Sequence, residues 1–90
     1  MLFTKEIIIT GKVQGVFFRK YTCEAADAIG ITGFVKNLPD QSVYILATGT
    51  NEQLQEFINW CWQGSPRSKV EKVEVKEMPL QQFNSFVVER

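Results

Sequence analysis

Two stretches of this ninety-residue chain carry apolar residues at helical spacing, and each is bracketed by segments in which apolar residues alternate. That order of periods narrows the fold more than any composition figure. A chain this short buries only about 60 to 65% of its unfolded surface and can organise a single core. Every element therefore has to turn its apolar side to the same place.

Leu2 to Thr10 alternates, with Phe3, Ile7 and Ile9 on one parity and Thr4, Glu6 and Thr10 on the other, which predicts a first strand. Gly11 to Phe18 holds two glycines and no helical period, and reads as a loop. Arg19 to Ile29 is predicted helical, with Thr22, Ala26 and Ile29 on one stripe and Gly30 as the stop. Gly33 to Asn37 reads as a second strand, ended by the turn-rich Leu38-Pro39-Asp40-Gln41-Ser42. Val43 to Ala47 follows closely enough to form an antiparallel hairpin with it.

A second helix opens at Thr50 or Asn51, with Glu52 and Glu56 early, where negative charge suits the helix dipole. Its stripe is Leu54, Phe57, Ile58 and Cys61, and Gly64-Ser65-Pro66 stops it. Trp60 is expected to pack on the domain, while Trp62 suits either packing or the surface. Val70, Val73 and Val75, with charges between them, give a fourth strand, and Phe86 and Val88 a short last one. The order β-α-β-β-α-β plus a terminal strand is the α+β, ferredoxin-like split βαβ plan, two helices covering one face of an antiparallel sheet. No repeat or linker interrupts it, so residues 1–90 are expected to be one domain. The fold alone leaves function open.

Charge and side-chain inventory exclude several functions. Ten Lys and Arg balance ten Asp and Glu, so no bulk attraction to nucleic acid or an anionic membrane is expected. The chain has no histidine, and with it lacks the commonest metal ligand and the usual neutral-pH base. Cys23 and Cys61 form no C-x-x-C pair and are expected as structural filler. The start, Met1-Leu2-Phe3-Thr4-Lys5-Glu6, lacks the order of a signal peptide, and no apolar run approaches the roughly 20 residues of a membrane span. A cytoplasmic location is expected, with no metal and no cofactor.

The segment Gly11 to Lys20 exceeds what folding needs. It joins a strand end to a helix start, where several amide N–H groups lack internal partners and can converge on an anion. No acidic residue occurs from Ile7 to Cys23, while Lys12, Arg19 and Lys20 all do. Arg19 stands in the first helical turn, where positive charge opposes the dipole. Two readings follow with equal weight: a phosphate cradle of loop amides and the Arg19 fork, or a plain βα loop with a solvated arginine. It is neither a Walker loop nor a dinucleotide fingerprint, for it lacks G-K-[ST] and a third glycine. Strands one and two run parallel in this plan, so Asn37 can come level with that loop. Its amide suits holding a water for in-line attack; by propensity alone it reads sooner as a turn-initiating residue.

At these residues the chain resembles the acylphosphatases. Gly11-Lys12-Val13-Gln14-Gly15-Val16-Phe17-Phe18-Arg19, then Ala26, Gly30, Gly33-Phe34-Val35-Lys36-Asn37 and Gly64-Ser65-Pro66 match that family in order and spacing. The resemblance implies metal-independent hydrolysis of a carboxyl-phosphate anhydride. Arg19 and the amides of Gln14, Gly15, Val16, Phe17 and Phe18 would bind the phosphoryl group, and Asn37 would orient the water. The expected partner is a small acyl phosphate, and the expected state a monomer. Asp40-Gln41 departs from the Asp-Gly or Asn-Gly turn of many members, so a different turn is expected beyond Asn37. Three rivals rank lower. A phosphoryl-binding module cut from a larger carbamoyl-phosphate-handling protein fits less well with a chain starting at Met1. An RNA binder would want exposed aromatics where strand one turns Thr4, Glu6, Ile8 and Thr10 outward, and a metal chaperone would want C-x-x-C or histidine.

Overall fold

A computed structural model describes residues 1–89; Arg90, the last residue of the domain expected from sequence, lies outside them. Seven elements follow in order: β1 (Phe3–Lys12), α1 (Phe18–Ile29), β2 (Thr32–Asn37), β3 (Val43–Gly49), α2 (Asn51–Gln63), β4 (Lys69–Met78) and β5 (Phe86–Val88). They build one sheet in the order β4-β1-β3-β2-β5, with both helices on one face, the ferredoxin-like arrangement. The first four strands pair antiparallel, but β5 joins β2 in parallel, so the sheet is mixed rather than antiparallel throughout. The cause is geometric. The chain reverses after β4 and crosses to the far edge, and a strand opposed to β4 there runs with β2.

That crossing also buries a residue expected to point outward. Thr4 does face away from the helices, yet it is only 2% exposed. Its hydroxyl bonds Thr48 Oγ1 at 2.7 Å, and the Gln81 amide donates to it at 2.9 Å, so the passage between β4 and β5 roofs this part of the open face. The aromatics beside it are likewise engaged: Phe34 stacks on Tyr44 at 6.0 Å and meets Phe83 edge-on at 6.1 Å.

The core fills the other face. Ile7 and Ile9 of β1, Val35 of β2 and Val43, Ile45 and Ala47 of β3 meet Phe18, Thr22 and Ala26 of α1 and Leu54, Phe57 and Cys61 of α2, all buried. Thr22 is tolerated there because its hydroxyl donates to Phe18 O at 2.7 Å. Trp60 packs between Phe18 and Phe57 as expected, whereas Trp62 is 51% exposed. Cys23 and Cys61 are both free thiols.

Element ends moved for local reasons. β1 continues through Gly11 to Lys12, and α1 begins at Phe18, one residue before Arg19. Gly11 sits at a register shift against β4 with φ 127, and a Cβ there would collide with the Lys69 carbonyl, so it is a bulge residue rather than a loop residue. Thr50 is the α2 cap. Its hydroxyl accepts from Gln53 N at 3.2 Å, and Gln53 Oε1 accepts from Thr50 N at 2.9 Å, a capping box.

The strand pairing brings two segments distant in sequence together. Val43 of β3 is the register partner of both Ile9 in β1 and Asn37 in β2. The loop leaving β1 and the residue ending β2 therefore arrive at the same end of the sheet.

Candidate active site

The loop from β1 to α1 is built by alternation. Val13, Val16 and Phe18 turn into the core, at 1%, 6% and 2% exposure, and anchor it. Gln14, Gly15, Phe17 and Arg19 are left along a cavity of about 670 Å³, which Asn37 also lines. Two residues of the loop have left-handed backbone, Gly15 at φ 72 and Phe17 at φ 60. A phenylalanine in this region is strained by roughly 1 kcal/mol. Its ring gains nothing from folding in return, being 72% exposed at the cavity.

Phe17 is also the N-cap of α1, and its side chain caps nothing; the first turn of α1 contains no acidic residue. The amides opening α1 thus have no side-chain cap, in contrast to the capping box of α2. Arg19, partly buried, has no ion-pair partner among the described residues. Unpartnered amides, the positive end of a helix dipole and a free guanidinium share one opening, an arrangement that suits a trigonal or tetrahedral oxyanion.

Sequence reasoning treated Gln14 only as an amide. Its side chain also ties the loop to the β2–β3 turn, with Nε2 donating to Leu38 O at 2.9 Å and to Ser42 O at 2.8 Å. That turn is closed by Leu38 N donating to Ser42 O at 2.9 Å, and Gln41 takes the left-handed position at φ 78. Here a clasp replaces the usual glycine turn. The Ser42 hydroxyl and amide both donate to Asp40 Oδ1, and these bonds hold the Asp40 carboxyl below its ordinary range.

Asn37 stands at the start of this braced turn. Its Oδ1 is buried and has no hydrogen-bond partner among the described residues. A buried carbonyl oxygen without a donor costs on the order of 1–3 kcal/mol. A second brace was also missed. Ser65, 3% exposed, donates from Oγ to Val16 O at 3.0 Å, so the segment that stops α2 also holds the loop. Nothing local to positions 16 and 65 signals that contact.

Further along α1, Cys23, Glu24 and Asp27 line the same cavity. Burial, and then the carboxylates of Asp27 and Glu24, push the Cys23 thiol above its ordinary value, which keeps it protonated and unsuited to nucleophilic attack. Among the described residues no three His, Cys, Asp or Glu gather as a metal-ligand group, and no helix is long and apolar enough to cross a membrane.

Comparison with known proteins places the chain in a family. The sequence model of the acylphosphatase family matches residues 5–88. The acylphosphatase of Shewanella amazonensis is 49% identical over 71 residues, 79% of this chain and 78% of that one. That of Archaeoglobus fulgidus is 45% identical over 83 residues, 92% of this chain and 93% of that one. The crystal structure of acylphosphatase from Bacillus subtilis superposes with a TM-score of 0.95 at 40% identity, covering 100% of both chains.

Proposed function

The chain belongs to the acylphosphatase family, hydrolases of acyl phosphates, and from that premise we propose how its own residues carry out the reaction. The amides of Gln14, Gly15, Val16, Phe17 and Phe18 and the Arg19 guanidinium bind the phosphoryl oxygens. Asn37 Oδ1 accepts an O–H bond from the attacking water and so sets its lone pair toward phosphorus. The observation that carries this reading is that Asn37, whose buried Oδ1 has no hydrogen-bond partner among the described residues, lines the same cavity as Arg19 and its loop.

The steps balance without further groups. The water oxygen forms a bond to phosphorus, the bond from phosphorus to the acyl oxygen breaks, and its electron pair leaves with the carboxylate. The proton lost by the water passes to phosphate or solvent. A carboxylate is a good leaving group, so no general acid is needed, and the remaining demands are charge neutralisation and water placement. Both fall to Arg19, the loop amides and Asn37, and no metal is called on.

The family match over residues 5–88 supports reading residues 1–90 as one acylphosphatase-like domain. Two free thiols favour a reducing, cytoplasmic setting. The open edge strand β4 carries Lys69, Glu71, Lys72, Glu74, Lys76 and Glu77, charges that discourage edge pairing and suit a monomer.

The test is hydrolysis of benzoyl phosphate in the presence of a chelator by wild type, Asn37→Ala and Arg19→Gln. Wild type is expected to be fully active with the chelator. Asn37→Ala is expected to lower kcat about 100- to 1000-fold while inorganic phosphate inhibits as before, and Arg19→Gln to lose both turnover and phosphate inhibition. Equal loss of phosphate inhibition in the two variants would assign Asn37 to the anion and refute its role toward water.

A further inference from the structure

We infer that the far end of the active-site cavity reads the charge of the acyl group, admitting neutral and cationic acyl chains and resisting anionic ones, through Glu24 and Asp27 of α1. The inference rests on the phosphoryl group occupying the Arg19 loop, because that placement fixes which way the acyl chain points.

Three observations converge on it. The cavity is longer than a phosphate needs, running from the loop along α1 to residues that include Cys23, Glu24, Asp27 and Val88. Its lining is divided by sign: Arg19 and Lys20 stand at the phosphoryl end, Glu24 and Asp27 at the other. At the helical rise, the two carboxylate positions lie about 8 to 12 Å along the axis from Arg19, the reach of an acyl substituent beyond its phosphate.

The second observation is that α1 is charged against its own dipole. Its only charged residues are Arg19 and Lys20 at the N-terminal end and Glu24 and Asp27 towards the C-terminal end, with no basic residue in the last turn. Arg19 and Lys20 in the first turn and Asp27 in the last oppose the dipole, while Glu24 stands mid-helix. α2, which lines no part of this cavity, follows the ordinary rule with Glu52 in its first turn. Third, the carboxylates act on their surroundings: after burial, Asp27 and then Glu24 push up the thiol of Cys23, which lines the same cavity, so their negative potential extends into the cavity wall. Asn37, whose buried Oδ1 has no hydrogen-bond partner among the described residues, lines this same cavity.

Phe17 and Val88 supply apolar wall for the body of the acyl group. A substrate with a carboxylate beyond that body meets two like charges, and one with an ammonium meets two opposite ones. The effect is one of binding, so it belongs in KM rather than kcat, and it weakens with salt because the groups are exposed.

The test uses three benzoyl phosphates that differ only in a para substituent: 4-methyl, 4-(carboxymethyl) and 4-(aminomethyl). For wild type at low ionic strength, KM for the carboxymethyl compound is expected to exceed that for the aminomethyl compound by about 10-fold, with the methyl compound between them. The E24Q/D27N variant should compress that ratio to within about twofold, E24K/D27K should invert it, and rising salt should shrink it in wild type. Equal KM values in wild type, or an order that survives both variants, would overturn the inference. Inorganic phosphate serves as the control and is expected to compete with all three substrates. If it competes and the ratio does not respond, this inference alone fails; if it does not compete, the phosphoryl site fails and takes the inference with it.

Discussion

Gln14→Ala probes the junction on which the proposed mechanism depends. The side chain is the only bridge by hydrogen bonds that the described residues show between the phosphate loop and the turn after Asn37. Its Nε2 makes two bonds, to Leu38 O at 2.9 Å and Ser42 O at 2.8 Å. At about 0.5–1.5 kcal/mol net for each bond, their loss destabilises the fold by about 1–3 kcal/mol. A domain of this size shifts in Tm by about 4–8 °C per kcal/mol, so thermal unfolding followed by circular dichroism should fall by about 5–20 °C. The Gln14 amide survives the substitution, so phosphate inhibition should persist, while Asn37 is no longer held against the cradle. A displacement of the water by about 1 Å can cost on the order of 100-fold, and a drop in kcat of about 10- to 100-fold is expected with little change in phosphate inhibition. Gln14→Glu should be worse on both counts, since it sets a carboxylate oxygen against two carbonyls beside the anion site. A Gln14→Ala protein with wild-type Tm and wild-type kcat would refute the argument that this side chain assembles the site.

The rate should show little dependence on enzyme ionisation between about pH 5 and 9, because the mechanism calls on no general acid or base; a bell-shaped profile traceable to enzyme groups would count against it. Ser65→Ala leaves the buried Val16 carbonyl without its donor at 3.0 Å, and a loss of about 1–3 kcal/mol in urea unfolding is expected, with turnover reduced. Tyr44 is pushed from 10.0 up to about 12, first by burial and then by its bond and proximity to Glu6, to which its hydroxyl donates at 2.8 Å. A raised folded value means that the protonated hydroxyl stabilises the fold below pH 10 and that this contribution is lost as pH rises toward 12. Tyr44→Phe should flatten that alkaline decline in Tm, and an unchanged slope would show that Tyr44 is not its source.

The order of elements and the location of the candidate site were legible because both are written in local signals. Alternation in Leu2 to Thr10, the stripe of Leu54, Phe57 and Cys61, and the glycines at 30 and 64 each report on a few neighbouring residues. So does Arg19, whose charge opposes a helix dipole within its own turn. Local signals misled where a long-range contact decided. Gly11 looked like a loop residue because its reason is the Lys69 carbonyl across the β1–β4 bulge, and Thr4 looked solvent-exposed because Gln81 closes over it.

The amino-acid sequence by itself determined the split βαβ plan and singled out the Gln14 to Arg19 loop and Asn37 as candidates, since periods, turn residues and helix-end charges act over one or two turns, while the roles of those residues came from the family resemblance. Only the tertiary structure decided that Asn37 keeps an empty buried acceptor, that Gln14 and Ser65 brace the loop from distant segments, that β5 runs parallel to β2, and that Glu24 and Asp27 share the cavity. The physical reason is chain entropy. Contacts between residues far apart in sequence form only after the core has already fixed the chain, and no short-range pattern records which partners that fixing brings together.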